Sequence, residues 1–271
     1  MSQPDVIALL KKAKENNNHF TFLVGAGLSA ESGIPTFRGE DGYWVIGSKN
    51  YHPQEMATRQ MFTKHPKEVW EWYLSRIKAY GKSIPNEGHY ALVEFEKHLQ
   101  GQFSLVSQNV DGLNLKAGNS IDHFYPIHGD LTFIRCFNEC SDELYKIRDF
   151  FNPEEEITKE TFDRLVCPKC KGITRPHVLW FDEAYDEKFY RLNSVLEIAE
   201  KTDVLFTIGT TGTTSLPHHI FQTALQNRTL IIDINPDDTI FSQVLYEYDN
   251  GFVIREKSGS ALPKILKRMK I

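Results

Sequence analysis

The chain has 271 residues, of which 41% are hydrophobic and 25% are charged, and its formal net charge is −5. This length suits one large domain, or a large and a small one, with the composition of an ordinary globular protein. The lack of net positive charge argues against direct binding of nucleic acid. No run of 18 apolar residues predicts a membrane span, and no signal-peptide pattern opens the chain. We therefore expect a cytoplasmic monomer.

Short apolar runs and helical patterns alternate along the chain. Buried strands are predicted at 20–24, 103–107, 203–208, 229–234 and, more weakly, 251–254. Helices are predicted at 6–14, 65–80, 88–98, 186–201, 217–226 and 261–269. The apolar runs are continuous, which is typical of a parallel sheet covered on both faces. The alternation predicts an α/β fold with a doubly wound, Rossmann-like sheet.

The middle of the chain interrupts this alternation. Residues 133–176 are charged and contain all four cysteines, so we predict a small inserted zinc-binding module there. A helical segment is predicted at about 41–87. The Rossmann-like part would then combine about 1–40, 88–132 and 177–271 within one catalytic domain.

The first predicted strand leads into Gly25, Ala26 and Gly27, followed by Ala30. This G-x-G-x-x-A pattern is the dinucleotide-binding version of the glycine-rich turn. The first glycine would make the tight bend, and the second would let the backbone approach a pyrophosphate. The next helix would direct its N-terminus at the phosphates. On its own, this short pattern also occurs in proteins that bind no nucleotide.

The cysteines form two close pairs. Cys136 and Cys140 have the spacing C-x3-C, and Cys167 and Cys170 have the spacing C-x2-C. Two such pairs predict a tetrahedral zinc site, which would be structural because four thiolates leave no position for water. Free thiols or disulfides are the alternative, and the C-x3-C spacing is looser than usual.

Polar residues follow the second predicted strand. Gln108, Asn109 and Asp111 lie where the carboxyl end of a parallel strand places ligand-binding groups. His128 comes between this strand and the cysteines. A histidine titrates near neutral pH, which suits a general base, although a lone histidine is more often structural.

These motifs occur in a fixed order across residues 7–266. They read G-A-G-L-S-A-E-S-G-I-P-T-F-R from Gly25, Q-N-V-D-G-L from Gln108, I-H-G from Ile127, the two cysteine pairs, R-P-H-V-L-W-F from Arg175, G-T-T from Gly209 and I-N from Ile234. The combination resembles the sirtuin family of NAD-dependent protein lysine deacylases.

The resemblance implies that NAD is consumed as a co-substrate and that acyl-lysine proteins are the partners. The acyl-lysine amide oxygen would attack the ribose carbon as nicotinamide leaves. His128 would then deprotonate a ribose hydroxyl, which attacks the imidate and gives O-acyl-ADP-ribose and free lysine. The implied NAD-binding residues are Gly25, Ala26, Gly27, Glu31, Thr36, Phe37, Arg38, Gln108, Asn109, Asp111, Gly209, Thr210, Thr211, Asn235 and Ser258.

The implied substrate-binding residues are Ala57, Tyr73, Arg76, Leu179, Trp180 and Phe181. Tyr73 and Arg76 share one helix face at i and i+3, which resembles the Y-x-x-R signature of class III sirtuins, enzymes that remove succinyl, malonyl and glutaryl groups. A guanidinium can bind the distal carboxylate through two hydrogen bonds, and a phenol can donate another. Two further residues fit the class III resemblance. Thr36 stands where many deacetylases have aspartate, and Ala57 stands where a small residue widens the acyl pocket. The alternative is an ordinary pair on an amphipathic helix.

The chain departs from the family pattern at three places. Asn114 stands where most sirtuins have histidine, Asp182 replaces the glycine of F-G-E, and 211–217 is slightly longer than the family segment. The last two border the cleft where the substrate peptide would add as a strand, so they put peptide affinity in doubt. Two alternatives stay open: an NAD glycohydrolase or ADP-ribosyltransferase using the same pocket, and a non-catalytic module that binds NAD or ADP-ribose.

Overall fold

The computed structural model describes residues 5–36 and 53–271, so the predicted site residues Phe37 and Arg38 lie outside the described part. Its strands are β1 (Phe20–Val24), β2 (Phe103–Ser107), β3 (Phe124–Pro126), β4 (Gly129–Cys136), β5 (Tyr145–Lys146), β6 (Thr174–Val178), β7 (Val204–Ile208), β8 (Leu230–Ile234) and β9 (Gly251–Ile254). Its helices are α1 (Val6–Glu15), α2 (Ala26–Ala30), α3 (Pro53–Met56), α4 (Arg59–Lys64), α5 (Pro66–Gly81), α6 (Glu87–Leu99), α7 (Leu113–Ala117), α8 (Lys159–Arg164), α9 (Glu187–Tyr190), α10 (Leu192–Lys201), α11 (Ser215–Gln226), α12 (Ile240–Leu245) and α13 (Ser258–Met269).

Six strands form a parallel sheet in the order β3-β2-β1-β7-β8-β9. All five predicted strands are confirmed. The sixth, β3, was missed because it has only three residues and ends on a proline. The order reverses at β1, whose neighbours are β2 on one side and β7 on the other. A ligand crevice is expected outside the carboxyl ends of the strands at such a reversal.

Helices cover both faces of this sheet, as the continuous apolar runs predicted. On one face, Leu10 of α1, Phe95 of α6 and Leu262 of α13 join the strand residues in one apolar cluster. On the other face, α10, α11 and α12 contribute a second cluster that includes Phe221 and Phe241. Burial of these side chains from water is the main force that holds the layers together.

A smaller lobe is built around the antiparallel sheet β5-β4-β6. Its β4 begins at Gly129, so the lobe starts before the predicted boundary at 133. Helices α3, α4 and α5 pack on this sheet in a third apolar cluster, which includes Trp70, Ile134 and Trp180. The described part of the predicted helical segment, from residue 53 onward, and the cysteine module therefore form one lobe.

The helix predicted at 186–201 is broken into α9 and α10. Arg191 separates them in the left-handed conformation, with φ of 57°. The break turns Phe189 and Tyr190 toward the small lobe, where Tyr190 stacks on His177, while Val195 of α10 faces the large sheet. A straight helix would not reach both lobes.

Among the helices in the described ranges, none combines the length and the hydropathy that a membrane span requires.

Candidate functional site

A cavity of about 620 Å³ lies between the carboxyl edge of the large sheet and the small lobe. It brings together residues predicted from distant parts of the sequence. The predicted residues that line it are Gly25, Ala26, Gly27, Glu31, Thr36, Ala57, Tyr73, Arg76, Gln108, Asn109, His128, Leu179, Trp180, Phe181, Gly209, Thr210, Thr211, Asn235 and Ser258. Asp111 is not among the lining residues.

The glycine-rich turn packs directly on the loop after β7. The N–H of Gly27 donates to the Gly209 carbonyl at 2.9 Å. A Cβ on Gly27 would lie 2.6 Å from Gly209 Cα, and one on Gly25 would lie 2.8 Å from the Gly209 oxygen. Gly25 has an ordinary φ of −129°, so the bend itself does not require glycine there. The sequence predicted these glycines for a tight bend and for approach to a pyrophosphate. Close packing against the loop after β7 is a further reason that the sequence did not indicate.

Asp111 supports the cavity wall from behind. Its Oδ2 accepts a hydrogen bond from the Ser29 hydroxyl at 2.7 Å, and its Oδ1 accepts one from the Leu113 N–H at 2.9 Å. Asn109 Nδ2 donates to Ser29 Oγ and to the Gly25 carbonyl. The hydrogen bonds from Asn109 to Ser29 and from Ser29 to Asp111 thus hold the Asn109 amide at the cavity. Asp111 acts through these contacts and does not itself line the cavity.

Gln108 links three segments at the mouth of the same crevice. Its Nε2 donates to Thr210 Oγ1 at 2.8 Å, and its Oε1 accepts from Thr214 Oγ1 at 3.1 Å. Its backbone N–H donates to the Val24 carbonyl at the end of β1. The side chain therefore fixes the loop after β7 relative to β1 and β2.

The far end of the cavity can accept a ribose or phosphate group. Asn235 Nδ2 donates to Asp233 Oδ1 at 3.1 Å, which orients its amide at the end of β8. Ser258 begins α13 and is 4% exposed, yet its Oγ has no hydrogen-bond partner among the described residues. A buried hydroxyl without a partner is costly unless a ligand or water satisfies it. Together with the crowded glycine turn, this orphan hydroxyl fits an extended dinucleotide such as NAD.

His128 lies in the middle of the cavity with a defined tautomer. Its Nδ1 is 3.0 Å from the Gln108 carbonyl oxygen, which can only accept, so Nδ1 carries the proton. Its Nε2 is 2.9 Å from the Tyr185 hydroxyl. Desolvation lowers the pKa of His128 to about 4. The hydrogen bond to the Gln108 carbonyl acts in the opposite direction but is the smaller effect. The imidazole is therefore neutral at physiological pH, with its lone pair on Nε2, as a general base requires.

Tyr73 and Arg76 of α5 line the end of the cavity beside Ala57. The Tyr73 hydroxyl accepts a hydrogen bond from Trp180 Nε1 at 3.0 Å, and burial holds its pKa above the usual value. The Arg76 guanidinium lies 3.5 Å from the centre of the Trp72 ring, and its Nη1 donates to the Trp72 carbonyl. The phenol therefore stays protonated, and the cation lies over the Trp72 ring.

Asp182 has a structural task that the sequence did not indicate. Its two oxygens accept hydrogen bonds from the N–H groups of Arg59 at 2.6 Å and Gln60 at 3.0 Å, at the start of α4. The neighbouring Phe181 N–H donates to the Ala57 carbonyl at 3.0 Å. A carboxylate at a helix N-terminus is stabilising. Asp182 thus fastens the segment at 179–183 to the wall that contains Ala57.

Replacing Asp182 with alanine is expected to destabilise the protein by about 0.5–2 kcal/mol, as for loss of a helix cap. Replacement with asparagine, which keeps an acceptor oxygen, serves as the matched control and should cost less. Urea unfolding of the three proteins measures both effects. Equal midpoints for wild type, alanine and asparagine would show that the two hydrogen bonds contribute no net stability.

The four cysteines converge in the small lobe, as predicted. Their sulfurs all lie within 4.8 Å of one another, and none of the four forms a disulfide. Cys136 is 3.5 Å from Cys170, and Cys140 is 3.5 Å from Cys167. Sulfurs bound tetrahedrally at Zn–S distances of about 2.3 Å would lie about 3.8 Å apart. The looser C-x3-C spacing does not prevent this arrangement, which fits one structural Zn²⁺.

Removing zinc with a chelator is expected to lower the melting temperature and to abolish turnover. The cysteines tie β4 to β6, and β6 continues into Leu179 and Trp180 at the cavity, so loss of the metal would loosen that wall. Calorimetry with a metal assay checks this, and chelator already loaded with zinc is the control. Unchanged melting and activity in zinc-free protein would contradict a structural role.

The structure also adds residues to the site that the sequence reasoning missed. Tyr185 and Trp72 line the cavity, and Ser29 connects Asn109 to Asp111. Ser29 lies inside the motif that follows the glycine turn, so its position gave a usable signal. Asn114 is buried within α7 and does not line the cavity.

Comparisons with known proteins agree with this geometry. The family model described as "Sir2 family" matches residues 25–215. An "NAD-dependent protein deacylase" of Leptospira interrogans is 37% identical over 261 residues, which cover 96% of this chain and 96% of that protein. A protein of the same name from Aquifex aeolicus is 36% identical over 251 residues, covering 93% and 95%.

Solved structures show the same fold. A mutant Sir2 homologue in complex with ADP-ribose has a TM-score of 0.80 and 31% identity, covering 97% of this chain and 96% of that one. A Sir2 homologue in complex with NAD has a TM-score of 0.78 and 30% identity, covering 97% and 93%. The family match, the full-length relatives and the shared architecture lead to one conclusion: the chain belongs to the Sir2 family.

Proposed function

We propose that this protein is an NAD-dependent protein lysine deacylase that prefers succinyl- or malonyl-lysine and also accepts acetyl-lysine. The observation that carries the proposal is a single cavity that joins three parts. These are the glycine-rich turn at the sheet reversal, the neutral imidazole of His128, and the Tyr73–Arg76 pair at the acyl end. Relatives named NAD-dependent protein deacylases along the full chain support the general reaction.

The residues of the large sheet would hold NAD so that its nicotinamide ribose faces His128. Gly25 to Gly27 and Asn235 would contact the dinucleotide, and Asn109 would orient the nicotinamide end. The Nε2 lone pair of His128 would accept the proton of a ribose hydroxyl, and its Nδ1–H bond to Gln108 keeps the ring oriented for this transfer. A base of this kind contributes roughly 10²- to 10⁴-fold to a rate.

The acyl end favours an acidic acyl group. Arg76 supplies a permanent cation, and Tyr73 can donate its hydroxyl proton because that oxygen already accepts from Trp180. The terminal carboxylate of a succinyl or malonyl group would form a charge-assisted contact with this cation, and an acetyl group has no carboxylate to do so. Ala57, which is 7% exposed and small, leaves room for the longer chain.

The products of a single incubation test this proposal. NAD and a succinyl-lysine peptide are expected to yield nicotinamide, free lysine peptide and O-succinyl-ADP-ribose in equal amounts, measured by mass spectrometry. ADP-ribose as the sole nucleotide product, formed at the same rate without peptide, would instead identify an NAD glycohydrolase. Transfer of ADP-ribose to the peptide or to the enzyme would identify an ADP-ribosyltransferase.

A further inference from the structure

The hydroxyl of Tyr185 occupies the one nitrogen of His128 that can act as a base. Nδ1 is committed to the Gln108 carbonyl, so only Nε2 has a free lone pair. The Tyr185 hydroxyl is 2.9 Å from Nε2, and it must donate, because Nε2 has no proton to give. A nitrogen lone pair accepts one strong hydrogen bond at a time. A ribose hydroxyl and Tyr185 therefore compete for the same position.

Tyr185 also lies at the cleft that a substrate peptide would enter. It follows the segment at 179–183 on one wall of the cleft, and Ser215 begins α11 on the opposite wall. Both residues line the cavity. The residue is partly exposed and stands in irregular backbone between β6 and α9.

We propose that Tyr185 is a gate on the general base. In the free enzyme its hydroxyl covers Nε2 of His128. An acyl-lysine peptide that enters between 179–183 and 212–217 displaces the ring, and the ribose hydroxyl of NAD takes its place on Nε2. Tyr185 is thus a positioning residue that couples arrival of the peptide to exposure of the base. This inference rests on the proposed role of His128.

The gate predicts two consequences for Tyr185→Phe, which keeps the ring and loses the hydroxyl. The variant no longer has to break a hydrogen bond before reaction, so kcat/KM for the acyl-lysine peptide should rise about 2- to 10-fold. Nε2 of His128 should also be uncovered in the free enzyme. Acylation of His128 by diethyl pyrocarbonate, which needs an accessible neutral nitrogen, should then be several-fold faster than in wild type.

The experiment measures both quantities in wild type, Tyr185→Phe and a control variant, Tyr248→Phe. Tyr248 lies away from the cavity and donates to the Thr229 carbonyl at 2.9 Å, so the control loses a comparable hydrogen bond without touching the site. Peptide mapping by mass spectrometry separates modification of His128 from that of the other histidines. Melting temperatures establish that each variant is folded.

Faster labelling of His128 together with higher kcat/KM in Tyr185→Phe alone would support the gate. Labelling at the wild-type rate would overturn it, because Nε2 would not be covered in the free enzyme. A fall in kcat would also overturn it, since the hydroxyl would then be needed during the reaction. Full activity of His128→Ala, run in parallel, would show instead that the proposed base, and not only the gate, is wrong.

Discussion

Replacing His128 with alanine is expected to reduce turnover of acyl-lysine peptides by about 10²- to 10⁴-fold, the usual contribution of a general base. Binding of NAD should persist, because the glycine turn and Asn235 are untouched by the change. Steady-state assays with a succinyl-lysine peptide measure the loss, and calorimetric titration with NAD measures the binding.

The matched control is His218→Ala. His218 is exposed on α11 and does not line the cavity, so this variant should retain wild-type turnover. Loss of NAD affinity in His128→Ala, in parallel with its activity, would indicate a binding role for this histidine. Turnover at the wild-type rate would remove it from the mechanism.

Replacing Arg76 with methionine is expected to lower kcat/KM for desuccinylation by about 10- to 150-fold, which corresponds to a charged hydrogen bond of about 1.5–3 kcal/mol. Deacetylation should change little, because an acetyl group has no carboxylate to pair with the cation. Methionine keeps most of the packing against Trp72 but removes the charge, together with the hydrogen bond to the Trp72 carbonyl. Matched acetyl and succinyl peptides of one sequence give the ratio.

The Arg76→Lys variant separates the effect of the positive charge from that of the planar guanidinium. Lysine keeps the charge but cannot form the planar, two-pronged contact, so its desuccinylation should fall between wild type and Arg76→Met. Equal losses on acetyl and succinyl substrates in Arg76→Met would show that Arg76 only supports α5, and the acyl preference proposed here would then be wrong.

Much of the large domain was predictable because its strands are buried on both faces. Continuous apolar runs such as 20–24 and 204–208 can hardly be exposed, so their pattern alone identified the sheet. Short elements gave no such signal. The three-residue β3 and the six-residue α4 are set by contacts with their surroundings and not by a period in the sequence.

Side-chain roles that depend on partners far away in the sequence could not be predicted from it. Asp182 stands out in the sequence as a departure from the family pattern, but its contact with Arg59 joins positions 123 residues apart. The contact between Tyr185 and His128 spans 57 residues. The clustering of the paired cysteines was easier to predict, because their local spacing already indicates a metal site. The spacing of Tyr73 and Arg76 likewise predicted one shared helix face, and both residues line the cavity.

Release of nicotinamide from NAD should be measured with acetyl-, succinyl- and unmodified lysine versions of one peptide. We expect the fastest release with the succinyl peptide, slower release with the acetyl peptide, and only background release with the unmodified one. Equal release with all three peptides would contradict the proposed deacylation, because loss of nicotinamide would then be independent of any acyl group.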